Sequence, residues 1–355
     1  MLGASLLVVA GCGGSTPSAT PSPSLEPTAS PSPSATDTPQ VTPGDTGPTA
    51  VPSGWGYSDL DGVAAPADLA HRLPIAIMVD DNKVARPQSG MSTASIVYQA
   101  PADGGEDRYM VIFQEGTSTD IGPVRSTRPY FVYWAAEYKA IFGHFGGDAE
   151  SRLEVVPAML GTIYNMDGIS GQPCPYHRIT TRNSPHNAYT NSAVQISCAA
   201  KYGYPATYQG RPRRPFGDDT PASERPASQT IGIPYRTGPV GYEFDPASDS
   251  YKRLVDGHDQ IDPANNQQVY ARNIVVMFQP VTNDYSEPGH IRPVVGNVGS
   301  GNAIVFKEGQ AIVGTWKKTS NTALTRFYDA SGKEITLVRG ELFLQSVPIG
   351  TTVTY

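Results

Sequence analysis

Basic and hydroxyl side chains are concentrated in one stretch, residues 122–150, which reads GPVRSTRPYFVYWAAEYKAIFGHFGGDAE. Arg125 and Arg128 flank Ser126 and Thr127 there, just before a predicted helix. Guanidinium groups and the N–H groups at a helix start both favour phosphate and carboxylate groups, so this turn predicts an anion site. The alternative is that both arginines pair with nearby carboxylates and that the glycines only serve tight turns.

Further polar side chains follow the strands and loops of the first half of the chain. If carboxylates, imidazoles and arginines converge, they can hydrolyse or transfer groups on an anionic envelope substrate, with Asp or His as the base. The same groups also suit a protein that only binds a wall glycan, a peptide or an anionic polymer. The candidate ligand-binding residues are Asp80, Asn82, Arg86, Asp103, Arg108, Arg125, Ser126, Arg128, His144, Asp148, His186 and Asn187.

No short motif in the sequence decides between catalysis and binding. The HExxH, GxSxG and P-loop patterns are absent. A metal site using His144, Asp148, His177 or His186 has no supporting ligand spacing, so we predict no metal and no cofactor. A third hypothesis is a structural role in the envelope, with the polar residues scattered. Binding or scaffolding ranks before an enzyme, and no catalytic residue is named.

The candidate residues are expected to lie on the strands, helices and loops of an α/β domain over residues 55–205. Apolar strands are expected at 74–80, 95–99 and 109–114, and the first of them ends in Asp80. Ligands of α/β sheets bind beyond the carboxyl ends of such strands.

The predicted helix after Arg128 begins with Pro129, and a hydroxyl at position 126 or 127 is expected to cap it. Its buried face is predicted to contain Phe131, Trp134, Ala135 and Tyr138. A short strand then ends at His144, and Asp148 is the expected cap of a second helix.

An irregular connection follows, and it contains His177, Arg178, Arg182, His186 and Asn187. Such a loop either lines a site or ties down a long connection, in which case His186 and Asn187 bond to loop backbone. A short helix is expected over residues 192–201.

The composition of residues 206–235 predicts a linker, because this stretch is polar and its apolar residues have no regular spacing. A β-rich domain is expected over 236–355, so the predicted fold class is α+β overall. Alternating or buried strand patterns occur at 240–244, 250–254, 271–279, 302–306, 311–316, 325–328 and 334–337.

The front end of the chain predicts export. Residues 1–12 end in Val-Ala-Gly-Cys, which resembles a lipoprotein signal peptide, although the usual basic residues before the apolar run are missing. Cys12 is the expected lipidation site. Residues 13–54 are rich in Ser, Thr and Pro and predict a disordered tether. We therefore expect an extracytoplasmic protein, anchored by lipid to the outer face of the cell membrane.

Charge and cysteine usage agree with that location. The net charge of -7 argues against nucleic acid as a partner. Besides Cys12, the chain contains only Cys174 and Cys198, a candidate disulfide in an oxidising compartment.

Several segments together resemble the DUF3048 family. They are Ile77–Asp80, Arg86–Met91, Ser95–Tyr98, Gly104–Arg108, Gly122–Arg128, His144–Gly147, Ser184–Asn187, Gly314–Lys318 and Thr325–Tyr328. The resemblance extends from about residue 70 to the end of the sequence. It implies an amino-terminal α/β domain, a carboxy-terminal β-rich domain and a lipoprotein, and it implies no particular chemistry.

Overall fold

A ten-stranded mixed sheet is the main element of the described residues. The computed structural model describes residues 51–169, 176–207, 212–286 and 291–355, so Cys12, Cys174 and most of the predicted tether lie outside them. The sheet strands in chain order are β1 (Ile75–Asp80), β2 (Ile96–Pro101), β3 (Asp107–Phe113), β4 (Ile141–His144), β5 (Tyr164–Asp167), β6 (Asn273–Gln279), β7 (Gly299–Lys307), β8 (Gln310–Lys318), β9 (Arg326–Asp329) and β10 (Leu342–Pro348). Their spatial order is β9-β8-β7-β6-β10-β2-β3-β1-β4-β5.

Both halves of the chain build this sheet. Strand β10 lies between β6 and β2 and runs parallel to both, with Leu342 opposite Asn273 on one side and Ile96 on the other. The sequence ranges predicted as two domains therefore share one main sheet. The described residues accordingly belong to one compact unit.

The sheet is buried on both faces, which explains the continuous apolar runs of its central strands. Along β1, Ala76 and Met78 face one core cluster, whereas Ile75, Ile77 and Val79 face the other. Helix α1 (Pro129–Glu137) covers the first face, where Trp134 stacks on Tyr98 with ring centroids 4.9 Å apart.

The second face is covered by helix α2 (Ser192–Lys201) and by a smaller antiparallel sheet. Strands of that smaller sheet are Thr230–Ile233, Val240–Asp245, Ser250–Val255, His258–Asp259 and Tyr270–Ala271. Two-stranded ladders join Trp55–Tyr57 to Ala64–Pro66, His177–Arg178 to Ala188–Tyr189, Phe216–Gly217 to Leu337–Val338, Ile261–Asp262 to Gln267–Gln268, and Val281–Asp284 to Arg292–Val295. Short helical segments are Ala67–Ala70, Lys83–Ala85, Asp103–Gly105, Ser151–Val155, Val156–Met159 and Ala222–Glu224.

The start of α1 differs from the sequence prediction. Neither Ser126 nor Thr127 caps the helix: Arg128 is the N-cap residue, and no side chain accepts from the first N–H groups. The Ser126 hydroxyl instead accepts from two arginines, described below. Pro129 does occupy the first turn, and the predicted face of Phe131, Trp134, Ala135 and Tyr138 is buried.

Candidate functional site

The carboxylate of Asp80 orients two cationic side chains at the end of β1. Its Oδ2 accepts a hydrogen bond from Nδ1 of His186 at 2.6 Å and lies 3.0 Å from Nε of Arg125. Its Oδ1 accepts from the backbone N–H of Asn82 at 3.0 Å. Asp80 is fully buried, so its negative charge depends on these neighbours for compensation.

Three backbone segments bring these residues together. The N–H of Asp80 donates to the carbonyl of Pro123 at 2.9 Å, and the N–H of Arg125 donates to that of Met78 at 3.0 Å. The N–H of Val124 in turn donates to the carbonyl of Ala188 at 2.6 Å. The loop of residues 121–125 is thus fixed between β1 and the segment that follows His186.

Gly122 permits this close approach. A Cβ at that position would lie 2.7 Å from Cδ1 of Tyr189 and 3.0 Å from the carbonyl oxygen of Ala188. Glycine is therefore required for packing, in addition to its positive φ of 155°.

The outer ends of Arg125 and His186 stay without protein partners among the described residues. No side chain or carbonyl there accepts from Nη1 or Nη2 of Arg125, and none bonds to Nε2 of His186. The two side chains are 22% and 17% exposed, respectively, so solvent reaches them. We call Asp80, Arg125 and His186 the Asp80 group. It is anchored at the buried end and available to a ligand at the other.

A second set of contacts surrounds Ser126. Nη1 of Arg108 donates to the carbonyl of Ser126 at 3.0 Å and to its Oγ at 3.2 Å, and Nη1 of Arg128 donates to the same Oγ at 3.2 Å. Burial, followed by repulsion from Arg128 and Arg125, lowers the pKa of Arg108 to about 10. Two guanidinium groups therefore meet at the Ser126 hydroxyl, with the carboxylates of Asp80 and Asp103 acting against their repulsion.

Arg128 itself is compensated by carboxylates, as the alternative interpretation of the sequence supposed. Its Nε and Nη2 donate to both oxygens of Asp103, the first at 2.7 Å, and Nε lies 3.3 Å from Oδ2 of Asp148. Burial would raise the pKa of Asp103, but the hydrogen bonds and charge of Arg128 lower it. Arg128 is consequently unavailable to an external anion without breaking a bidentate ion pair.

Arg86 and Asn82 face a different part of the molecule. Arg86 donates to Asp81 at 3.0 Å and to Asp256 at 2.6 Å, which ties the first half of the chain to the second. The Asn82 side chain bonds to Glu106 and accepts from the N–H of Val84 at 3.0 Å. Both side chains therefore stabilise the fold.

His144 and Asp148 also have structural partners. Nδ1 of His144 donates to the carbonyl of Gly146 at 2.7 Å, and its Nε2 lies 2.8 Å from Oδ1 of Asn165. Asp148 accepts from the N–H of Ser151 at 2.7 Å, and so caps the following helical turn as predicted. His144 is buried and bonded at both ring nitrogens, and it contacts no member of the Asp80 group.

Asn187 ties down its loop, whereas His186 beside it does not. Oδ1 of Asn187 accepts from Arg178 at 2.5 Å, and Nδ2 donates to the carbonyl of Ile179 at 3.2 Å. His186 bonds instead to the distant carboxylate of Asp80. Asn187 therefore bonds within its own loop, whereas the His186 side chain joins that loop to the end of β1.

A cleft of about 110 Å³ lies beside Arg128, where the two halves of the chain meet. The first half contributes Arg128, Pro129, Tyr130, Tyr133, Asp148 and Glu150, and the second contributes Asp284 and Arg292–Val295. Arg292 pairs with Asp284, and its Nη1 lies 3.6 Å from Asp148. The sequence prediction missed Asp284 and Arg292, because single charged residues on a short hairpin look like an ordinary solvated surface.

Three further predictions concern metals, membrane spans and cysteines. Within the described ranges no group of three or more His, Cys, Asp or Glu side chains could hold a metal ion. In the same ranges no helix is long and apolar enough to cross a membrane. Cys198 is disulfide-bonded, while the pairing with Cys174 stays a prediction because Cys174 lies outside the described residues.

The fold and the Asp80 group define a sheet-rich protein of mixed α and β structure, with a charged, partly exposed site beside the end of a central strand. Two models of one family match the chain. The model described as "Protein of unknown function (DUF3048) N-terminal domain" matches residues 60–204, and the C-terminal domain model matches residues 231–344. The chain belongs to the DUF3048 family, as its sequence resemblance indicated.

Comparison with individual proteins gives the same result. The chain is 28% identical over 294 residues to YerB of Bacillus subtilis (strain 168), covering 81% of this chain and 85% of YerB. The name of that relative describes it provisionally as a lipoprotein. The crystal structure of YerB from Bacillus subtilis superposes with a TM-score of 0.74 at 25% identity, covering 84% of this chain and all of that one.

Proposed function

We propose that this protein is an exported lipoprotein of the cell envelope that binds an anionic ligand at the Asp80 group. The single observation that carries the proposal is the arrangement of Arg125. Its Nε lies 3.0 Å from Oδ2 of the buried Asp80, an ion pair without a hydrogen bond, and its two Nη groups have no acceptor in the described parts of the chain. A guanidinium beside a buried carboxylate presents a planar fork of donors on its other side, which matches a phosphate or carboxylate.

The surrounding charges favour an anion at this position. Arg108 is 1% exposed and is itself destabilised by Arg125 and Arg128. An anion beside Arg125 would relieve that repulsion. His186 is held on the same oxygen of Asp80 as Arg125, so it adds a second polar contact to a ligand bound there.

The expected ligand is a phosphate- or carboxylate-bearing component of the cell wall. A lipid on Cys12 and a tether over residues 13–54 would hold the folded part at the outer face of the membrane, within reach of such polymers. The lipoprotein name of the Bacillus relative supports this location. Free phosphate and wall phosphodiesters both carry a negatively charged phosphate group, which is what the site would recognise. The experiment below distinguishes these two sources.

Binding is tested by thermal unfolding of the full chain with inorganic phosphate, a wall polymer containing phosphodiesters, and a wall peptide bearing carboxylates. A ligand at a hundred times its Kd stabilises the folded state by about 2.7 kcal/mol. We expect Tm to rise with at least one anion and not with matched chloride.

Substitution of Arg125 tests whether the anion binds at the Asp80 group. Arg125→Gln is expected to abolish the rise in Tm, and Arg125→Lys to weaken it, since Lys keeps the charge but not the fork. Arg326→Gln is the matched control, because Arg326 pairs with Glu334 at 2.6 Å on the second half. An unchanged anion response in a folded Arg125→Gln protein would refute the site.

A further inference from the structure

Among the residues that the structure describes, His186 has a hydrogen-bond partner at one of its two ring nitrogens. Asp80 accepts from Nδ1 at 2.6 Å, and a carboxylate at that distance fixes the hydrogen on Nδ1 in the neutral ring. The lone pair of Nε2 is then directed away from Asp80. Nothing in the described ranges bonds to that nitrogen. An imidazole oriented in this way by a buried carboxylate is arranged as a general base.

Arg125 stands beside this base. Because Nδ1 of His186 and Nε of Arg125 both approach the same oxygen, Asp80 Oδ2, the two side chains are neighbours. Catalysis at this group requires that a ligand on the Nη atoms of Arg125 also reach Nε2 of His186. A base next to an anion-binding fork is the combination that hydrolysis of a charged ester requires.

We propose that the Asp80 group hydrolyses phosphate esters, with His186 as the general base and Arg125 holding the phosphoryl oxygens. This inference rests on the anion binding proposed above. A phosphate ester is favoured over a carboxylic ester because it carries a negative charge in its ground state, which pairs with the Nη groups of Arg125.

In the proposed step, Nε2 of His186 removes a proton from a water molecule as the water oxygen attacks phosphorus. The oxygen's electron pair forms the new P–O bond, the ester P–O bond breaks, and its electron pair leaves with the alcohol oxygen. That oxygen takes up a proton from solvent, and the imidazolium later returns its proton to solvent. Asp80 stabilises the imidazolium while it exists, and Arg125 offsets the charge on the phosphoryl oxygens.

The test uses the full chain with p-nitrophenyl phosphate, bis(p-nitrophenyl) phosphate and p-nitrophenyl acetate, in the presence of a chelator. We expect turnover of at least one phosphate ester. His186→Gln should reduce kcat by about 100-fold or more, while a smaller shift of Tm with inorganic phosphate remains, because Arg125 still binds the anion and only the contact from His186 is lost. His258→Gln is the control: it is purified in the same way and also loses a histidine, but His258 is exposed on a hairpin of the second half.

Each other result has a definite meaning. If phosphate raises Tm but neither phosphate ester is turned over, the catalytic inference is wrong and anion binding stands. Turnover by His186→Gln at the wild-type rate also overturns it, as does cleavage of the acetate ester alone. If phosphate neither binds nor is released from any ester, the catalytic inference fails, and the binding proposal fails as well if the wall polymer and the wall peptide also leave Tm unchanged. Arg125→Gln should lose both the shift of Tm and the turnover.

Discussion

Asp262 holds the backbone of Ser92 across the junction between the two halves of the chain. Its Oδ2 accepts from the N–H of Ser92 at 2.9 Å and from the Ser92 Oγ at 2.8 Å. The N–H of Gly90 also donates to Oδ1, at 2.9 Å. Asp262 is 1% exposed. A carboxylate from residues 236–355 therefore completes the hydrogen bonding of a loop that lies between β1 and β2.

The first prediction follows from that contact. Asp262→Ala should lower the free energy of unfolding by about 3 kcal/mol, because two buried N–H groups lose a charged acceptor. Asp259→Ala is the control: Asp259 is about half exposed, and it meets Lys252 at 3.0 Å, a surface pair contributing about 1 kcal/mol or less. Urea unfolding measures both. Equal effects would show that the contact between Asp262 and Ser92 contributes little.

A buried ion pair gives the second prediction. Nζ of Lys318 on β8 lies 2.8 Å from Oε1 of Glu137 on α1, and both side chains are fully buried. Burial lowers the pKa of Lys318, and Glu137 opposes that shift. Glu137→Gln should destabilise the protein by about 3 kcal/mol, since it leaves a buried ammonium without its counter-charge.

The double variant tests the cause of that loss. Adding Lys318→Met to Glu137→Gln removes the uncompensated ammonium and leaves only Arg214, 3.7 Å from Oε2 of Glu137, without its carboxylate. The double variant should therefore be less destabilised than the sum of the two single ones. Denaturant unfolding of all four proteins gives the coupling energy. Strict additivity would mean that the pair contributes through packing and not through charge.

Asp107 gives a prediction about pH. Its carboxylate accepts from Thr237 Oγ1 at 2.7 Å. Burial raises its pKa to about 6, the hydrogen bonds from Thr237 oppose this, and Asp81 adds to it. Since the folded pKa exceeds the unfolded one, the contribution of Asp107 to stability is present below about pH 4 and lost as pH rises through 6.

Asp107→Asn removes this titration. Relative to wild type, the variant should therefore gain stability between pH 4 and pH 7.5, by on the order of 3 kcal/mol at most. Asp245→Asn is the control, because a hydrogen bond from Ser248 lowers the pKa of Asp245 below its usual value near 3.8. The pH-dependent contribution of Asp245 therefore changes only below about pH 4, and the stability difference between this variant and wild type should stay nearly constant from pH 4 to pH 7.5. Chemical unfolding at both pH values tests whether the gain is specific to Asp107→Asn.

The anchor is tested by fractionation of cells. Cys12→Ala should move the protein from the membrane fraction to the soluble fraction, because Cys12 is the predicted site of lipid attachment. Ser15→Ala should leave the protein in the membrane fraction. Membrane association of Cys12→Ala would contradict the lipoprotein prediction.

Local sequence patterns predicted many of the elements but not their assembly. The apolar run before Asp80 and the helix over 192–201 were recognisable, since their burial and end signals are local. Strand β10 was not predicted. Its buried Gln345 and Ser346 interrupt the apolar pattern, and its partners in β2 and β6 are distant in the chain.

The candidate site was predicted as a list of residue types, not as a geometry. Asp80 and Arg125 were named because they follow a strand and precede a helix. That His186 reaches Asp80, 106 positions away, depends on the backbone contacts between loops 121–125 and 188–190. The roles of Arg125 and Arg128 cannot be distinguished from the sequence. In the structure, the carboxylate of Asp103 occupies the guanidinium fork of Arg128, whereas the Nη groups of Arg125 have no acceptor among the described residues.

The position of β10 has a consequence for how the chain is made. Synthesis proceeds from the amino terminus, so β2 and β6 emerge before residues 342–348, the strand that must lie between them. Until β10 arrives, each has an unpaired edge that can join a strand of another chain. The main sheet can therefore close only after residues 342–348 are available, so its completion is the last step in forming the fold whichever end of the chain orders first.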